Sequence, residues 1–261
     1  MVLWSDWEGV ASPSWPSDPY PDGRRVRAAE AFAAESTGTV SFAVVDGESG
    51  LRGLEPERQF SSASVSKVLL LAAELRRLRE ENEQLDGGTR SLLDSMIRFS
   101  DNDAASSIYV RVGDEGMEEV AARAGMRDFE VTPGYWGGAQ VTAADLARFF
   151  YRLDRNLVGP HRRYAKELLA TITELQRWGI PAAAGRGWDV FFKGGWRPAG
   201  TTETSGPVTH QGALLRHGSG RRIAIAILTD QSPGTSSYGT LEGITERLLE
   251  DDPAATRWVA P

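Results

Sequence analysis

The chain has 261 residues and a net charge of −7, with proportions of hydrophobic and charged residues that are ordinary for a globular protein. The negative charge argues against electrostatic binding to nucleic acid or to an anionic membrane surface, and no apolar run reaches the length of a membrane span. The absence of cysteine excludes disulfide bonds, a thiol nucleophile and thiolate metal ligands.

Residues 1–23 predict an irregular N-terminal arm, because they are rich in Ser, Pro, Asp and Trp and show no periodicity. Trp4, Trp7 and Trp15 are expected to anchor this arm on the body of the protein. The first eight residues lack the basic and apolar segments of a signal peptide, so the sequence as written predicts a cytoplasmic protein. A secreted protein is expected instead if the sequence is a trimmed mature form.

A helix and two strands are predicted after the arm. Residues 24–35 are rich in Ala, Glu and Arg, which favours a helix. The alternating, β-branched run at 39–46 predicts a strand, which ends at the turn 47–50. A second strand is expected near residues 51–54.

The central part of the chain predicts a series of helices. The first begins at Ser64, and its run VLLLAAEL is apolar over so broad a stripe that it predicts a buried central helix. Thr142 and Asp145 resemble a capping box at the start of a later helix. The predicted helices of this block run over 64–79, 85–98, 103–111, 116–123, 142–153 and 164–178.

The last third of the chain predicts strands at 188–193, 209–216 and 221–229 and a closing helix at 238–249. This order predicts an α/β (α+β) fold, in which both ends of the chain build one antiparallel five-stranded sheet flanked by helices, with an inserted all-α lobe. We expect residues 24–64 plus 186–261 to form the α/β lobe, and residues 65–185 the helical lobe, of one monomeric structural domain.

Lysine is rare in this chain, and its positions are informative. Only Lys67, Lys166 and Lys193 are lysines among 29 basic residues. A buried Lys can lose its proton and act as a base, whereas Arg stays charged. Ser64 precedes Lys67 by three residues, so both side chains lie on one face of the predicted helix, about 5–6 Å apart at Cβ. Lys67 can then take the Ser64 proton, and the free N–H groups at the helix start favour the negative charge.

Two further short motifs offer groups for the same chemistry. The run Ser100–Asn102 follows a predicted helix and carries a hydroxyl and an amide. The run Lys193–Gly195 is placed at the end of a predicted strand, where glycine lets a substrate backbone approach the strand edge. Each of these motifs alone also fits an ordinary turn.

Together, in this order, the three motifs resemble those of the active-serine superfamily of class A β-lactamases and penicillin-binding proteins. The resemblance spans roughly residues 25–250 and includes FSSASVSKVLLLAAEL, FSDNDAAS, RWGIPAAAGRGWDVFFKGG and RRIAIAILTD. It implies a β-lactamase-like fold with the active site between the two lobes, and it implies no cofactor and no metal ion. The implied activity is that of a serine hydrolase that forms an acyl-enzyme with a β-lactam or a related amide or ester.

The resemblance also implies a role for each matching residue. Ser64 would be the acylating nucleophile, and Lys67 its base or the partner of a base. Ser100 would relay a proton to the leaving nitrogen, and Lys193 would steer Ser100 and the substrate carboxylate. The substrate-binding residues would be Asn102, Gly194, Gly195, Trp196 and Arg197, and the backbone N–H groups of Ser64 and Trp196 would form the oxyanion hole.

Two departures from the family pattern bear on activity. Gly194 stands where the family has a hydroxyl residue that contacts the substrate carboxylate, and Arg197 is either a replacement cation or a solvated turn residue. The family also carries a Glu on a long loop, which activates the water for deacylation. The corresponding segment, Gly125–Val141, is short and contains only Glu130, which is predicted to be structural because it lies in a small strand at 128–131. Slow hydrolysis of the acyl-enzyme is therefore expected.

Several alternatives stay open at this point. A D-Ala-D-Ala peptidase, an esterase or a glutaminase can share the fold, and a non-catalytic ligand-binding protein can keep the pocket. A Ser-His-Asp triad through His210 competes with the interpretation of His210 as a partly exposed strand residue. Tyr135 and Trp136 are expected either in one wall of the cleft or in ordinary loop packing. The expected ligand is a small β-lactam, peptide or ester.

Overall fold

The computed structural model of the protein describes residues 20–47, 50–200 and 206–249. Most of the predicted arm, with Trp4, Trp7 and Trp15, lies outside these ranges. Tyr20 is buried, and its hydroxyl donates to the Leu249 carbonyl at 3.0 Å, which ties the residues before the first helix to the last one. No helix in the described part of the chain is long and apolar enough to cross a membrane.

The β-strands of the described residues form one large sheet and one small sheet. The large sheet has five antiparallel strands, to which both ends of the chain contribute as predicted. Its order is β2-β1-β7-β6-β5, so β5 is an edge strand, and the small sheet pairs β3 with β4. The strands are β1 Val40–Val45, β2 Leu51–Leu54, β3 Gln59–Ser61, β4 Gln140–Thr142, β5 Trp188–Arg197, β6 Val208–His217 and β7 Arg222–Thr229.

Most of the helices lie between β3 and β5 in the chain, which is the inserted helical block that the sequence predicts. Four of them begin at a side chain whose oxygen accepts a backbone N–H, at Asp22, Asp86, Asp101 and Thr142. The predicted cap at Thr142 is thereby confirmed. The helices are α1 Gly23–Glu35, α2 Lys67–Glu80, α3 Gly87–Arg98, α4 Asn102–Ala124, α5 Ala143–Tyr151, α6 Leu153–Asn156, α7 Arg162–Ala170, α8 Ile180–Ala183 and α9 Thr235–Leu249.

The large sheet packs against different helices on its two faces. On one face α1 and α9 pack together, and Gly243 of α9 leaves room for the Phe32 ring. On the other face α5 packs against β1, β6 and β7, and the Phe150 ring lies against Gly212 of β6. Fully buried aliphatic residues of β1, β6 and β7 fill both interfaces and form the core.

Helix α2 is the buried centre of the helical block, as its apolar sequence predicts. Residues 67–76 are all buried, and the helix packs against α3 and α4. This packing fixes the position of Lys67, the first residue of α2, relative to the junction between α3 and α4. The lobe boundaries expected from the sequence stay a prediction.

Two predicted boundaries are wrong in ways that concern the candidate site. Strand β5 does not end at Lys193 but continues to Arg197, because it pairs with β6 over its whole length. The helix predicted over 164–178 ends at Ala170, and Trp178 follows a separate 3₁₀ turn. The motif at Lys193 is therefore within a strand, and Trp178 is on an irregular segment.

Two helices also differ from the sequence-based expectation. The helices expected at 103–111 and 116–123 form one helix, α4, with a kink at Gly113, whose φ is +62°. Ser64 does not start the α-helix but lies in a 3₁₀ turn, Ala63–Ser66, directly before α2. The tighter turn changes how Ser64 is presented.

Candidate active site

The three predicted motifs meet beside the edge strand β5. Ser64 lies in the 3₁₀ turn that precedes α2, and Lys67 is the first residue of α2. Ser100 and Asn102 lie at the junction of α3 and α4, while Lys193 lies within β5. Hydrogen bonds join the last four of these residues, so the sequence motifs come together in space.

Ser64 is presented by a strained turn. The preceding Ala63 has φ of +45°, a left-handed conformation that costs a residue with a Cβ about 1–2 kcal/mol. In a 3₁₀ turn the side chains at i and i+3 eclipse each other, so Ser64 and Lys67 project in the same direction. The Lys67 backbone N–H donates to the Ser64 carbonyl, and Ser64 is partly exposed while Lys67 is fully buried.

The Lys67 amine is held by neutral acceptors. Its Nζ donates to the Ser100 carbonyl at 2.5 Å, to Ser100 Oγ at 3.3 Å and to Asn102 Oδ1 at 2.7 Å. None of its hydrogen bonds with described residues goes to a carboxylate. Burial lowers the pKa of Lys67 to about 7, and the charge of Asp101 opposes this shift only in part. A large fraction of Lys67 is therefore an uncharged amine at neutral pH.

Lys193 approaches the same hydroxyl from the strand. It is fully buried, and its Nζ donates to Ser100 Oγ at 3.1 Å and to the Gly194 carbonyl at 2.9 Å. Burial, and then the charge of Lys67, lower the pKa of Lys193 well below its usual value. The third lysine, Lys166, is elsewhere and pairs with Asp154 at 2.8 Å.

Ser100 is fixed by its neighbours in the α3–α4 junction. Its φ is +60°, which is rare for a residue with a Cβ. The following Asp101 holds this geometry, because its backbone N–H donates to the Ser95 carbonyl at 3.1 Å and its carboxylate accepts from Ala104 N–H at 2.8 Å. A second strained residue thus presents a hydroxyl in this site.

Gly195 brings β5 against the backbone of the 3₁₀ turn Ala63–Ser66, which carries Ser64 and is called the nucleophile turn below. A Cβ added at this position would lie 2.8 Å from Ser64 N and 2.6 Å from Val65 N, which no side chain can do without moving the backbone. The N–H of the next residue, Trp196, belongs to the same edge strand. The backbone groups expected to bind an oxyanion are therefore in adjacent segments.

Gly194 lies beside an aromatic ring, and Arg197 is buried rather than solvated. The Cα of Gly194 faces the Trp178 ring, since an added Cβ would lie 3.4 Å from Trp178 Cη2. Arg197 is only 5% exposed, with Nε donating to the Gly206 carbonyl at 3.0 Å and Nη1 donating to Ser61 Oγ at 3.3 Å. The interpretation of Arg197 as a solvated turn residue is therefore wrong, and it braces the segment before Ser64.

A fourth segment, the 3₁₀ turn Trp136–Gly138, completes the surroundings of Lys67. The centre of the Trp136 ring lies 4.8 Å from Lys67 Nζ, and its Nε1 donates to Ser106 Oγ at 3.3 Å. Trp136 is buried, whereas Tyr135 is 37% exposed. Of the two interpretations of this pair, a position at the cleft and ordinary loop packing, the contact with Lys67 supports the first for Trp136. No spacing in the sequence indicates its contact with Lys67.

Glu130 takes part in the fold through its backbone. It forms a single bridge with Gln140, in which each residue donates its N–H to the other, at 3.1 and 2.7 Å, and its side chain is exposed. The strand predicted over 128–131 is thus reduced to one bridge. The start of this loop is held by buried Asp145, whose carboxylate accepts the N–H groups of Arg127 and Asp128.

His210 supports the nucleophile turn from behind. It is fully buried rather than partly exposed, so that expectation is wrong. Its Nδ1 accepts from the Thr229 N–H at 3.1 Å, which leaves the proton on Nε2, 3.1 Å from the Ser61 carbonyl. Both ring nitrogens are thus engaged with backbone groups and neither with Ser64, against the triad interpretation. Burial lowers the pKa of His210 to about 4, so the ring is neutral.

The assembled groups can exchange protons and stabilise negative charge. They comprise the Ser64 and Ser100 hydroxyls, two amines with lowered pKa values and the backbone N–H groups beside Gly195. Among the described residues, no group of three His, Asp or Glu side chains is placed to hold a metal ion. This arrangement suits acyl transfer to a serine.

Solved structures of other proteins share this fold. A class A β-lactamase from Bacteroides cellulosilyticus is 13% identical with a TM-score of 0.76, over 89% of this chain and 98% of that one. A class A β-lactamase from Mycobacterium abscessus is 21% identical with a TM-score of 0.73, over 86% and 98%. A protein named PBP-A is 14% identical with a TM-score of 0.75, over 90% and 97%. At these identities the likeness shows the fold.

The sequence itself also matches a known family. Comparison with curated protein sequences finds no match. The profile of the Beta-lactamase enzyme family, however, matches residues 87–250, which include Ser100–Asn102 and Lys193–Gly195 and begin after Lys67. Since the matched residues make up more than half of the chain, the chain belongs to the β-lactamase enzyme family.

Proposed function

We propose that this protein is a serine hydrolase that forms an acyl-enzyme on Ser64. One observation carries the proposal: two buried lysines with lowered pKa values bond the single hydroxyl of Ser100, and one of them, Lys67, lies one 3₁₀ turn after Ser64. Such an arrangement is costly to bury and serves no evident structural need. Family membership and fold support the same activity.

The proposed base is the uncharged form of Lys67. This form has two N–H bonds and one lone pair, and the two shortest contacts, to the Ser100 carbonyl and Asn102 Oδ1, take up the two hydrogens. The third position, 3.3 Å from Ser100 Oγ, then carries the lone pair, which accepts the Ser64 proton as Ser64 Oγ attacks the carbonyl carbon. A positioned general base of this kind contributes about 10²–10⁴-fold to the rate.

The proposed intermediate is stabilised by backbone N–H groups. The oxyanion would lie between the N–H groups of Ser64 and Trp196, held in register by the close contact at Gly195. One such donor is worth about 10²–10³-fold in kcat. When the intermediate collapses, Ser100 Oγ would give its proton to the leaving nitrogen or oxygen and regain one from Lys67 or Lys193.

A long-lived acyl-enzyme is the second part of the proposal. Deacylation needs a base to activate water, and no carboxylate bonds Lys67 within the described residues, while the Trp136 ring lies beside its amine. This observation favours a penicillin-binding or D-Ala-D-Ala peptidase-like role over rapid β-lactam turnover. An esterase or glutaminase on the same fold would use the same acylation groups.

Intact-protein mass spectrometry after timed exposure to a penicillin tests the proposal, with Ser64→Ala as the control. A persistent adduct of the full penicillin mass on the wild type alone supports acylation with slow deacylation. A transient adduct with hydrolysed penicillin would instead show a working β-lactamase and overturn the second part. The same experiment with an activated ester distinguishes an esterase from an enzyme that reacts only with β-lactams. Equal covalent labelling of Ser64→Ala and the wild type would overturn the serine mechanism.

A non-catalytic ligand-binding protein is the remaining alternative from another class. It predicts that Ser64→Ala binds every ligand as the wild type does and that no covalent adduct forms with penicillin or ester. The lowered pKa of Lys67 argues against it, because binding alone gains nothing from a buried uncharged amine.

A further inference from the structure

Three aromatic side chains form a continuous surface at the edge strand, which we call the aromatic wall: Trp178, Trp196 and Tyr238. Trp178 stacks on Tyr238 with ring centres 4.4 Å apart and planes 14° apart, and meets Trp196 edge-to-face at 6.0 Å. The three residues come from the segment before α8, from β5 and from the first turn of α9. Each is partly exposed, so the rings are not simply part of the core.

The aromatic wall adjoins the candidate active site directly. The centre of the Trp196 ring lies 5.9 Å from Lys193 Nζ, and Trp196 also carries the backbone N–H proposed for the oxyanion. The Trp178 ring lies against Cα of Gly194, so a longer side chain at that position would meet the indole. A substrate lying along the outer edge of β5 would therefore contact these rings next to its reacting carbonyl.

The charges around the aromatic wall disfavour an anionic group. Glu242 lies one helical turn after Tyr238, and its Oε1 accepts the N–H of Gly179, the residue after Trp178, at 3.1 Å. Arg197, the cation that the sequence offers here, is turned into the protein and donates to Ser61 and Gly206. The Lys193 amine, 5.9 Å from the Trp196 ring, is fully buried and donates to Ser100 Oγ and the Gly194 carbonyl. The wall thus presents ring faces and one nearby carboxylate.

We propose that the aromatic wall is a specificity subsite, which accepts an uncharged apolar or aromatic group on the leaving side of the substrate in preference to a carboxylate. This inference rests on the proposed function of Ser64. A complex in which an apolar or aromatic group is buried against these ring faces is stabilised. A carboxylate in the same place would be repelled by the carboxylate of Glu242. The Trp178 ring lies beside Gly194, since a Cβ at that position would be in van der Waals contact with it at 3.4 Å.

Binding to the Ser64→Ala variant tests the subsite without turnover. The probes are two anilides of phenylacetylglycine, whose aniline ring carries at its 3-position either a methyl ester or a free carboxylate. Isothermal titration calorimetry at pH 7 is expected to give about 5- to 10-fold tighter binding of the neutral anilide. Equal binding, or tighter binding of the carboxylate, would overturn the inference.

Variants in the Ser64→Ala background assign the preference to the wall. Trp178→Ala is expected to reduce the ratio of the two dissociation constants to within about 2-fold, because the ring surface is lost. Glu242→Gln keeps an oxygen that can accept the Gly179 N–H but removes the negative charge, so it should strengthen the binding of the carboxylate probe alone. Val110→Ala removes an exposed apolar side chain on α4 and is the matched control, expected to change neither value. If Trp178→Ala does not fold, Glu242→Gln still decides: an unchanged carboxylate affinity contradicts the charge argument.

A parallel turnover assay separates this inference from the proposed function. The matching pair of phenyl esters is given to the wild type and to Ser64→Ala. Equal hydrolysis by both proteins would refute the serine mechanism, while the calorimetric ratio would still decide the aromatic wall. Serine-dependent hydrolysis with a carboxylate preference would refute the aromatic wall alone.

Discussion

Lys67 and Lys193 share one hydrogen-bond partner, the Ser100 hydroxyl, at 3.3 and 3.1 Å from their amines. Two cations so close together in a buried site repel each other, and both pKa values are lowered as a result of burial and, for Lys193, of this proximity. A guanidinium would remain charged in either position. The relationship explains why a chain that uses arginine almost everywhere keeps lysine here.

The first prediction concerns the pH dependence of acylation. Lys67 is protonated below a pKa of about 7 and uncharged above it, so the acylation rate should rise with pH through about 7 and then level off. Stopped-flow measurement of acylation by an activated ester between pH 5 and 9 shows this directly. The Lys67→Arg variant should be acylated about 10²–10⁴-fold more slowly than the wild type, and its rate should show no such rise with pH. A flat profile for the wild type would argue against Lys67 as the base.

The second prediction concerns stability. Because the folded-state pKa of Lys67 is about 7 and its unfolded value is 10.5, the unfolded state binds more protons between these values. The free energy of unfolding should therefore rise with pH across this window. Lys67→Met should be more stable than the wild type at pH 7 and show a smaller rise. Urea denaturation at pH 7 and 9.5 measures the free energy of unfolding of both proteins. An identical rise between the two pH values in wild type and Lys67→Met would contradict the prediction.

The third prediction concerns Trp136. Its ring lies 4.8 Å from Lys67 Nζ and favours the charged amine by a cation–π interaction of about 0.5–1 kcal/mol. Trp136→Leu should remove this interaction and move the midpoint of the acylation profile to lower pH, by roughly half a unit. Trp136→Phe, which keeps a ring face, is the matched control and should shift it less. An upward shift for the leucine variant would refute the argument.

Local patterns in the sequence predict the strands of the sheet, whereas the meeting of the three motifs is implied by their resemblance to the active-serine superfamily. Alternation identifies the strands that form the five-stranded sheet, and the spacing of Ser64 and Lys67 places both on one face of a turn. Thr142 is recognised as a cap because its signature is confined to four residues. Each of these signals is contained within a few positions along the chain, although the strands themselves pair over long distances, as β1 does with β7.

The rest of the site depends on contacts between distant segments, and no local pattern contains them. Trp136 reaches Lys67, and His210 reaches Ser61, only through the folded arrangement of the loop and of β6. The sequence predicts a helix through Trp178 because its neighbours favour one, but the helix ends at Ala170. The extent of β5 is set by its pairing with β6. The two glycines after Lys193 instead indicate the end of a strand, so the sequence predicts β5 to be too short.

The fourth prediction concerns Gly195. An added Cβ would lie within 3 Å of the backbone nitrogens of Ser64 and Val65, so Gly195→Ala must push β5 and the nucleophile turn apart. We expect acylation to fall by about 10²-fold or more, because the two oxyanion donors lose their spacing. Gly239→Ala, where an added methyl group meets open space on α9, is the control for the substitution itself. Wild-type acylation by Gly195→Ala would contradict the proposed oxyanion site.

The fifth prediction concerns His210 as a positioning residue. Its neutral ring joins Thr229 to Ser61, and its pKa is lowered by burial to about 4 from an unfolded value of 6.5. The unfolded state therefore binds more protons in this window, and the free energy of unfolding should fall as the pH drops from 6.5 to 4. His210→Phe fills the space but leaves two backbone groups unpaired, so it should destabilise the protein by about 2–4 kcal/mol.

The same variant separates positioning from a merely structural role. His210→Phe should lower kcat of acylation more than it raises KM, because the Ser61 carbonyl no longer fixes the strained turn at Ala63 that presents Ser64. His210→Gln, whose amide can donate to one backbone group and accept from the other, should recover part of kcat and lose the pH dependence of unfolding between 4 and 6.5. A stability loss with unchanged kcat in His210→Phe would show that the ring supports the fold without orienting the nucleophile.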